Sequence, residues 1–329
     1  MEKVAVTRRL PDAGMQLLQQ AHDAETIELV CWPGELPPQG NNLAELLHGC
    51  AGAVTLVTDP IDADVLDLEP QLRVLSNFAV GFDNIDVAAA TERGIIVCNT
   101  PGVLTETTAD LAWALLMSTA RRVVEGADYV RAGKWETWGP TLLMGVDVHH
   151  STLGIIGFGR IGKEVAKRAR GFDMRIIAFD SYQDEEAARE LGVEFTTLGE
   201  LLSESDFVTL HCSLTDETHH LIGRNEFKQM KNSAILINAA RGPVVDTSAL
   251  TEALRNRQIS GAGLDVTDPE PIPADHPLVA MPNVVIVPHI ASASVATRNR
   301  MAVMAAENVL AGVRGERPAY VVNPEVFES

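Results

Sequence analysis

The stretch 154-GIIGFGRIGKEVAKRA-169 decides how this chain is read. A short apolar run leads into Gly157, Gly159 and Gly162, and helix-forming residues follow. In such a pattern the first glycine permits a tight turn and the second a close backbone approach to a pyrophosphate. The third lets helix and strand pack closely. The helix start adds N–H groups and a positive dipole end for phosphate, with Arg160 and Ile161 at its first positions. The next apolar run, 174-MRIIAFD-180, ends on Asp180, 18 residues past Gly162. A carboxylate there accepts from ribose hydroxyls and repels a 2′-phosphate, and Ser181 and Tyr182 bring no cation. The cofactor expected is NAD, with NADH preferred over NADPH.

Outward from this motif, strand and helix patterns alternate along almost the whole chain. That is the mark of α/β architecture with parallel sheets. A first series of strands reads 3-KVAVT-7, 52-GAVTLV-57, 72-LRVLSNF-78 and 95-IIVCN-99. A second series reads 152-TLGIIGF-158, 174-MRIIAFD-180, 206-DFVTLHC-212, 234-AILINAA-240, 261-GAGLDV-266 and 283-NVVIVPH-289. Between the two series, residues 101–133 read as one long helix with an N-cap at Thr107 or Thr108. Residues 134–151 are irregular and carry Trp135 and Trp138. A final helical stretch, 294–315, and a tail follow the second series.

The glycine turn therefore lies near the middle of the chain. The expectation is two Rossmann-like or flavodoxin-like domains with parallel sheets, one inserted in the other. Residues 1–100 and 290–329 form a discontinuous substrate domain, and 101–289 form the NAD-binding domain. Two crossings of this kind imply a hinge over a cleft.

Composition narrows the partners. The 329 residues are 46% hydrophobic, enough for a sizeable core, and carry a net charge of −19. That charge argues against nucleic acid and anionic membranes as partners. No run of about 18 apolar residues suggests a membrane span, and the N-terminus lacks a signal-peptide pattern. The four cysteines are scattered, with no metal-binding spacing and no disulfide framework. A reducing cytoplasm and the absence of a metal follow as expectations.

Three polar residues stand where later strands end: Arg241, Glu270 and His289. Each has a plain reading alone: an Arg–Gly turn, a solvated loop carboxylate, a structural histidine. Together they fall on the rim where open α/β sheets bind ligands. They also suit a nicotinamide. Reducing a 2-oxo acid needs a hydride, a proton for the developing alkoxide and a cation for the carboxylate. Imidazole at His289 can supply the proton. A carboxylate at Glu270 favours imidazolium and fixes the ring. The planar fork of Arg241 can hold carboxylate and carbonyl oxygen, and offsets the acidic background.

The motifs 79-AVGFDNIDV-87, 99-NTPGVLTETTADLAWAL-115, 154-GIIGFGRIG-162, 237-INAARGPVVD-246, 263-GLDVTDPEP-271 and 288-PHIASAS-294 together resemble the D-isomer-specific 2-hydroxyacid dehydrogenases. The likeness is strongest to their glyoxylate/hydroxypyruvate reductase branch and covers nearly the whole chain. It implies that Arg241 binds the substrate carboxylate and carbonyl, that Glu270 pairs with His289, and that His289 is the acid/base. It implies that backbone N–H groups at Val80 and Gly81 hold the substrate carboxylate. It also implies that Thr108, Cys212, Ser213, Thr218, Ala239, Asp265 and Ser292 line the cofactor, with Asp265 near the nicotinamide carboxamide. Val57 and Trp138 would shape the substrate pocket, Trp138 by reaching the other subunit of a homodimer. Ordinary packing under a long loop is the plainer reading of Trp135 and Trp138. Two departures from the pattern are small: Ser213 where proline is frequent, and Ala291 where glycine is frequent.

The activity implied is reduction of glyoxylate or hydroxypyruvate to glycolate or D-glycerate. The alternatives are another D-2-hydroxy acid (lactate, phosphoglycerate or a bulkier one) and, further off, phosphite. A non-catalytic NAD-sensing regulator is the alternative of a different class. The small-molecule partner is thus a 2-oxo or 2-hydroxy acid.

Overall fold

The computed structural model describes residues 1–328. The chain divides into two compact units, residues 1–104 with the chain from 293 onward, and residues 105–292.

In the first unit, strands β1 (Glu2–Val6), β2 (Ile27–Cys31), β3 (Gly52–Thr55), β4 (Val74–Asn77) and β5 (Ile96–Cys98) form a parallel sheet in the order β2-β1-β3-β4-β5. Every residue of β3 and β4 is buried, as expected for strands covered on both faces. The helix Val295–Val313 packs against β3, β4 and the helix Asp12–Asp23. Small residues make this close approach possible. A side chain on Gly312 would strike Val74, and one on Gly14 would strike Ala302. Ser294 caps the helix by accepting from Thr297 N–H at 3.1 Å. The tail then closes on β5, where Val322 N–H donates to the Val97 carbonyl at 2.7 Å and Val97 N–H donates to the Asn323 side chain at 2.8 Å.

In the second unit, β6 (Thr152–Ile156), β7 (Arg175–Phe179), β8 (Val193–Phe195), β9 (Phe207–Leu210), β10 (Ile235–Asn238), β11 (Gly261–Leu264) and β12 (Val284–Ile286) form a parallel sheet in the order β12-β11-β10-β9-β6-β7-β8. Neighbouring residues of a strand point to opposite faces, and here both faces are core. Ile155, Phe207 and Ile237 join one apolar cluster, while Ile156, Val208 and Leu236 join the other. That is why these strands read as continuous apolar runs. The sheet order reverses at β6, which is flanked by β9 on one side and β7 on the other.

The single helix expected over 101–133 is two helices, Thr105–Ala120 and Val123–Arg131. Arg122 between them takes a left-handed conformation, φ 52°. A continued helix would give the Ala120 carbonyl to residue 124. It accepts instead from Val146 N–H at 3.0 Å, on the return of the following loop. The first helix starts at Thr105, so Thr107 and Thr108 lie in its first turn and not at a cap. Both sheets also carry an edge strand absent from the sequence reading, β2 and β8. Among the described residues, no helix is long and apolar enough to cross a membrane.

Candidate active site

The glycine turn leaves β6 with Gly157 at φ 94°, a conformation costly for any other residue. A side chain there would also run into the backbone of His211 and Cys212. One on Gly162 would strike the Gly157 carbonyl, so helix Arg160–Arg170 sits directly on the turn. Gly159 differs, since a Cβ there meets no protein atom within 4 Å. That open face at a helix start fits a pyrophosphate lying against bare backbone. The helix has no acidic residue in its first turn and three basic ones, Lys167, Arg168 and Arg170, in its last. The last-turn cations complement the dipole, and Arg160 and Lys163 in the first turn, with no acid in that turn, leave the N-terminal end for an anion. Arg160 is exposed and Ile161 is half-buried against the core.

Asp180 stands just past β7. One carboxylate oxygen accepts from Phe158 N–H at 2.6 Å, inside the glycine turn, and the other from Tyr182 N–H at 2.9 Å. The turn and the carboxylate are therefore one rigid piece. Beyond β9, burial pushes the Cys212 thiol up to about 11, and Asp180 adds to the rise. Beside it, burial holds the His211 imidazole down to about 3, so this histidine is neutral and its ring nitrogen meets the Thr209 hydroxyl at 2.8 Å. The loop after Cys212 closes on itself: the Thr218 hydroxyl donates to the Ser213 carbonyl and accepts from Thr215 N–H, both at 2.7 Å. Thr108 is buried in its helix, Ala239 is buried past β10, and Ser292 is half-buried.

Past β10 the chain makes a tight turn at Arg241. The buried Asn238 side chain donates to the Arg241 carbonyl at 2.9 Å and accepts from Ala240 N–H at 3.0 Å. Arg241 Nη1 donates to the Ala240 carbonyl at 2.9 Å. Gly242 follows, and a Cβ on it would overlap the Thr267 carbonyl. The Arg241 turn thus lies flush on the segment that carries Glu270.

Past β11, Asp265 is buried and both its oxygens are engaged. One accepts from Ile290 N–H at 2.6 Å, the other from Ala291 N–H at 3.0 Å. Its main-chain carbonyl accepts from His289 N–H at 2.9 Å. Burial pushes this carboxyl up, while the N–H donors and the nearby His289 charge pull it back. His289, just past β12, is held by this cradle in a left-handed conformation, φ 51°. Its Nδ1 meets Glu270 Oε1 at 2.6 Å, and both side chains are about one-third exposed. With Nδ1 so engaged, Nε2 is the nitrogen presented outward.

In the first unit, Val57 lies past β3, and Val80 and Gly81 lie past β4, all half-buried. The loops that bear them are tied by amides. Asn77 donates to the Gly81 carbonyl at 2.9 Å and to the Asn84 side-chain oxygen at 3.0 Å; Asn84 donates to the Leu56 and Asp59 carbonyls. Trp138 is 79% exposed.

Asn77, Asn84, Asn238 and Gly242 organise these loops and were not singled out from the sequence. For the asparagines a signal was available: two of the three end a buried strand. Among the described residues, no three His, Cys, Asp or Glu side chains are grouped to hold a metal.

The family model for the D-isomer specific 2-hydroxyacid dehydrogenase NAD-binding domain matches residues 113–291. A glyoxylate reductase of Korarchaeum cryptofilum is 54% identical over 327 residues, covering 99% of this chain and 97% of its own. The crystal structure of a protein from Thermus thermophilus superposes with a TM-score of 0.90 at 48% identity, covering 97% of this chain and 99% of that one. An NADPH-dependent glyoxylate/hydroxypyruvate reductase from Sinorhizobium meliloti, in complex with NADP and malonate, superposes with a TM-score of 0.86 at 31% identity, covering 98% and 96%.

Proposed function

The chain belongs to the D-isomer specific 2-hydroxyacid dehydrogenases, and from that premise we propose that it reduces glyoxylate, and hydroxypyruvate alongside it, to the D-2-hydroxy acid with NADH. The enzyme is an oxidoreductase of this family. The observation that carries the finer reading is the His289–Glu270 contact at 2.6 Å, at a strand end beside the Arg241 turn.

Gly157, Gly159, Arg160, Ile161 and Gly162 would hold the pyrophosphate of NAD, and Asp180 its ribose. Thr108, Cys212, Ser213, Thr218, Ala239, Asp265 and Ser292 would line the rest of the cofactor. When bound, NADH supplies the hydride. His289 holds a proton at Nε2 and gives it to the substrate carbonyl oxygen, while Glu270 fixes the ring through Nδ1. Arg241 binds the carboxylate and polarises the carbonyl. Val80 and Gly81 offer main-chain N–H groups to the carboxylate. Val57 and Trp138 limit the size of the 2-oxo acid, Trp138 from the second copy in a homodimer.

The preference for NADH rests on Asp180. Two N–H donors orient its carboxylate, which repels a 2′-phosphate. The relative from Sinorhizobium meliloti is NADPH-dependent, so cofactor choice differs among the chain's relatives and needs its own measurement.

One steady-state assay tests the reading: cofactor oxidation with glyoxylate, hydroxypyruvate, pyruvate and bulkier 2-oxo acids, each with NADH and NADPH. Glyoxylate and hydroxypyruvate are expected to give the highest kcat/KM, and NADH to exceed NADPH. His289→Asn should lower kcat by about 10²–10⁴ with NADH binding retained. A fully active His289→Asn enzyme, or no turnover of any 2-oxo acid, would overturn the proposal. Equal kcat/KM with the two cofactors would remove the role given to Asp180.

A further inference from the structure

The loop after β4 displays two main-chain donors whose directions are set from elsewhere. In a trans peptide the carbonyl and the following N–H point opposite ways. The Ala79 carbonyl accepts from Thr100 N–H at 2.7 Å, which turns Val80 N–H the other way. The Val80 carbonyl accepts from Asn99 Nδ2 at 2.8 Å, which does the same for Gly81 N–H. Among the described residues, neither the Val80 nor the Gly81 N–H has an acceptor. Both residues are half-buried, and these two adjacent N–H groups are available to an anion.

Asn99 is itself fixed at both ends of its peptide. Its N–H donates to the Tyr320 carbonyl at 3.3 Å, and its own carbonyl accepts from Asn308 Nδ2 at 3.1 Å. Both partners belong to the C-terminal segment that returns to this unit, Asn308 on the helix Val295–Val313. Asn308 is buried, so the brace is shielded from water. On the other side, the Gly81 carbonyl is held by the buried Asn77.

We propose that Asn99 is a positioning residue that aims the Gly81 N–H at the substrate carboxylate, with its own place set by the returning C-terminal segment. The proposal rests on the reading of this chain as a 2-oxo acid reductase, in which Val80 and Gly81 receive that carboxylate. Asn99 touches neither substrate nor cofactor. It holds one peptide plane, and its loss frees that plane to rotate before each binding event. The cost falls on anion binding and spares the proton transfer at His289.

The test compares the unmodified enzyme with Asn99→Ala and with Asn99→Asp, which keeps the shape but has an acceptor in place of the donor. In each, the KM for glyoxylate and the inhibition constant of oxamate should rise about five- to ten-fold, the size of one lost hydrogen bond. Turnover at saturating glyoxylate and the Kd of NADH should stay within about two-fold. A general structural role predicts the opposite split, with kcat, NADH affinity and melting temperature falling together. That split, or unchanged KM and oxamate inhibition in either folded variant, overturns the proposal while glyoxylate reduction by the unmodified enzyme stands. Absence of 2-oxo acid turnover in the unmodified enzyme overturns the functional reading and the proposal with it.

Discussion

Asp59 shows what a single buried carboxylate does to this chain. It lies two residues past Val57 and is fully buried. Thr7 Oγ1 donates to its Oδ2 at 2.5 Å and Leu56 N–H to the same oxygen at 2.7 Å, while Oδ1 has no partner among the described residues. Burial pushes its pKa above the ordinary value of 3.8; the bonds from Thr7 and Leu56 and the charge of Arg8 pull back but do not cancel this. The folded state therefore binds this proton more tightly than the unfolded state. Its contribution to stability is complete below 3.8 and is lost as pH rises through the raised folded value. Asp59→Asn removes that titration. Thermal melts from about pH 4 to about pH 8 should show the variant gaining on the unmodified protein as pH rises. A difference in melting temperature that stays constant over that range would sink the argument.

At the scale of elements, the active-site loops are set by close backbone approaches, and Gly242 is the tightest. It lets the Arg241 turn rest on the Thr267 carbonyl, and Thr267 opens the segment that ends at Glu270. Gly242→Ala must separate the two segments, at about 1–3 kcal/mol of overpacking. We expect kcat/KM for glyoxylate to fall by about ten-fold or more, because both Arg241 and Glu270 shift. NADH affinity should persist, since the glycine turn lies past a different strand. Unchanged kcat/KM in a folded Gly242→Ala protein would show that the approach does not position the pair. Close approaches and long-range bonds also separate what was legible in the sequence from what was not. The glycine turn and the central strands were readable because each is a local pattern with one physical meaning. Strands β2 and β8 were not: at the sheet edges their short apolar runs are interrupted by Glu28 and Glu194. The break at Arg121–Arg122 was hidden because a long-range bond from Val146 makes it. Arg241, Glu270 and His289 were singled out from their strand-end positions. Their support Gly242 looks like an ordinary turn residue until the loops are packed.

At the scale of the whole molecule, the chain carries a net charge of −19 yet leaves a run of large apolar residues in water. The helix Val123–Arg131 has no buried residue. Val123, Val124 and Val130 on it, and Trp135, Trp138 and Met144 beyond it, are 43–79% exposed. A nine-residue helix with no fully buried residue is marginal in water, and a second surface laid over it would stabilise it. The irregular stretch after it is longer than most loops in compact domains, and such loops are usually functional. Two copies this acidic repel each other at long range, which leaves apolar contact as the force for self-association. A two-fold pairing through residues 123–146 meets these conditions, since it apposes the same apolar patch from each copy. Light scattering on the purified enzyme should give 71 kDa, twice the 35.5 kDa chain. Val130→Asp combined with Trp138→Asp should halve that mass by placing charge on the apposed patch. A monomeric unmodified enzyme at micromolar concentration, or a double variant that stays dimeric, would show that these residues serve another surface.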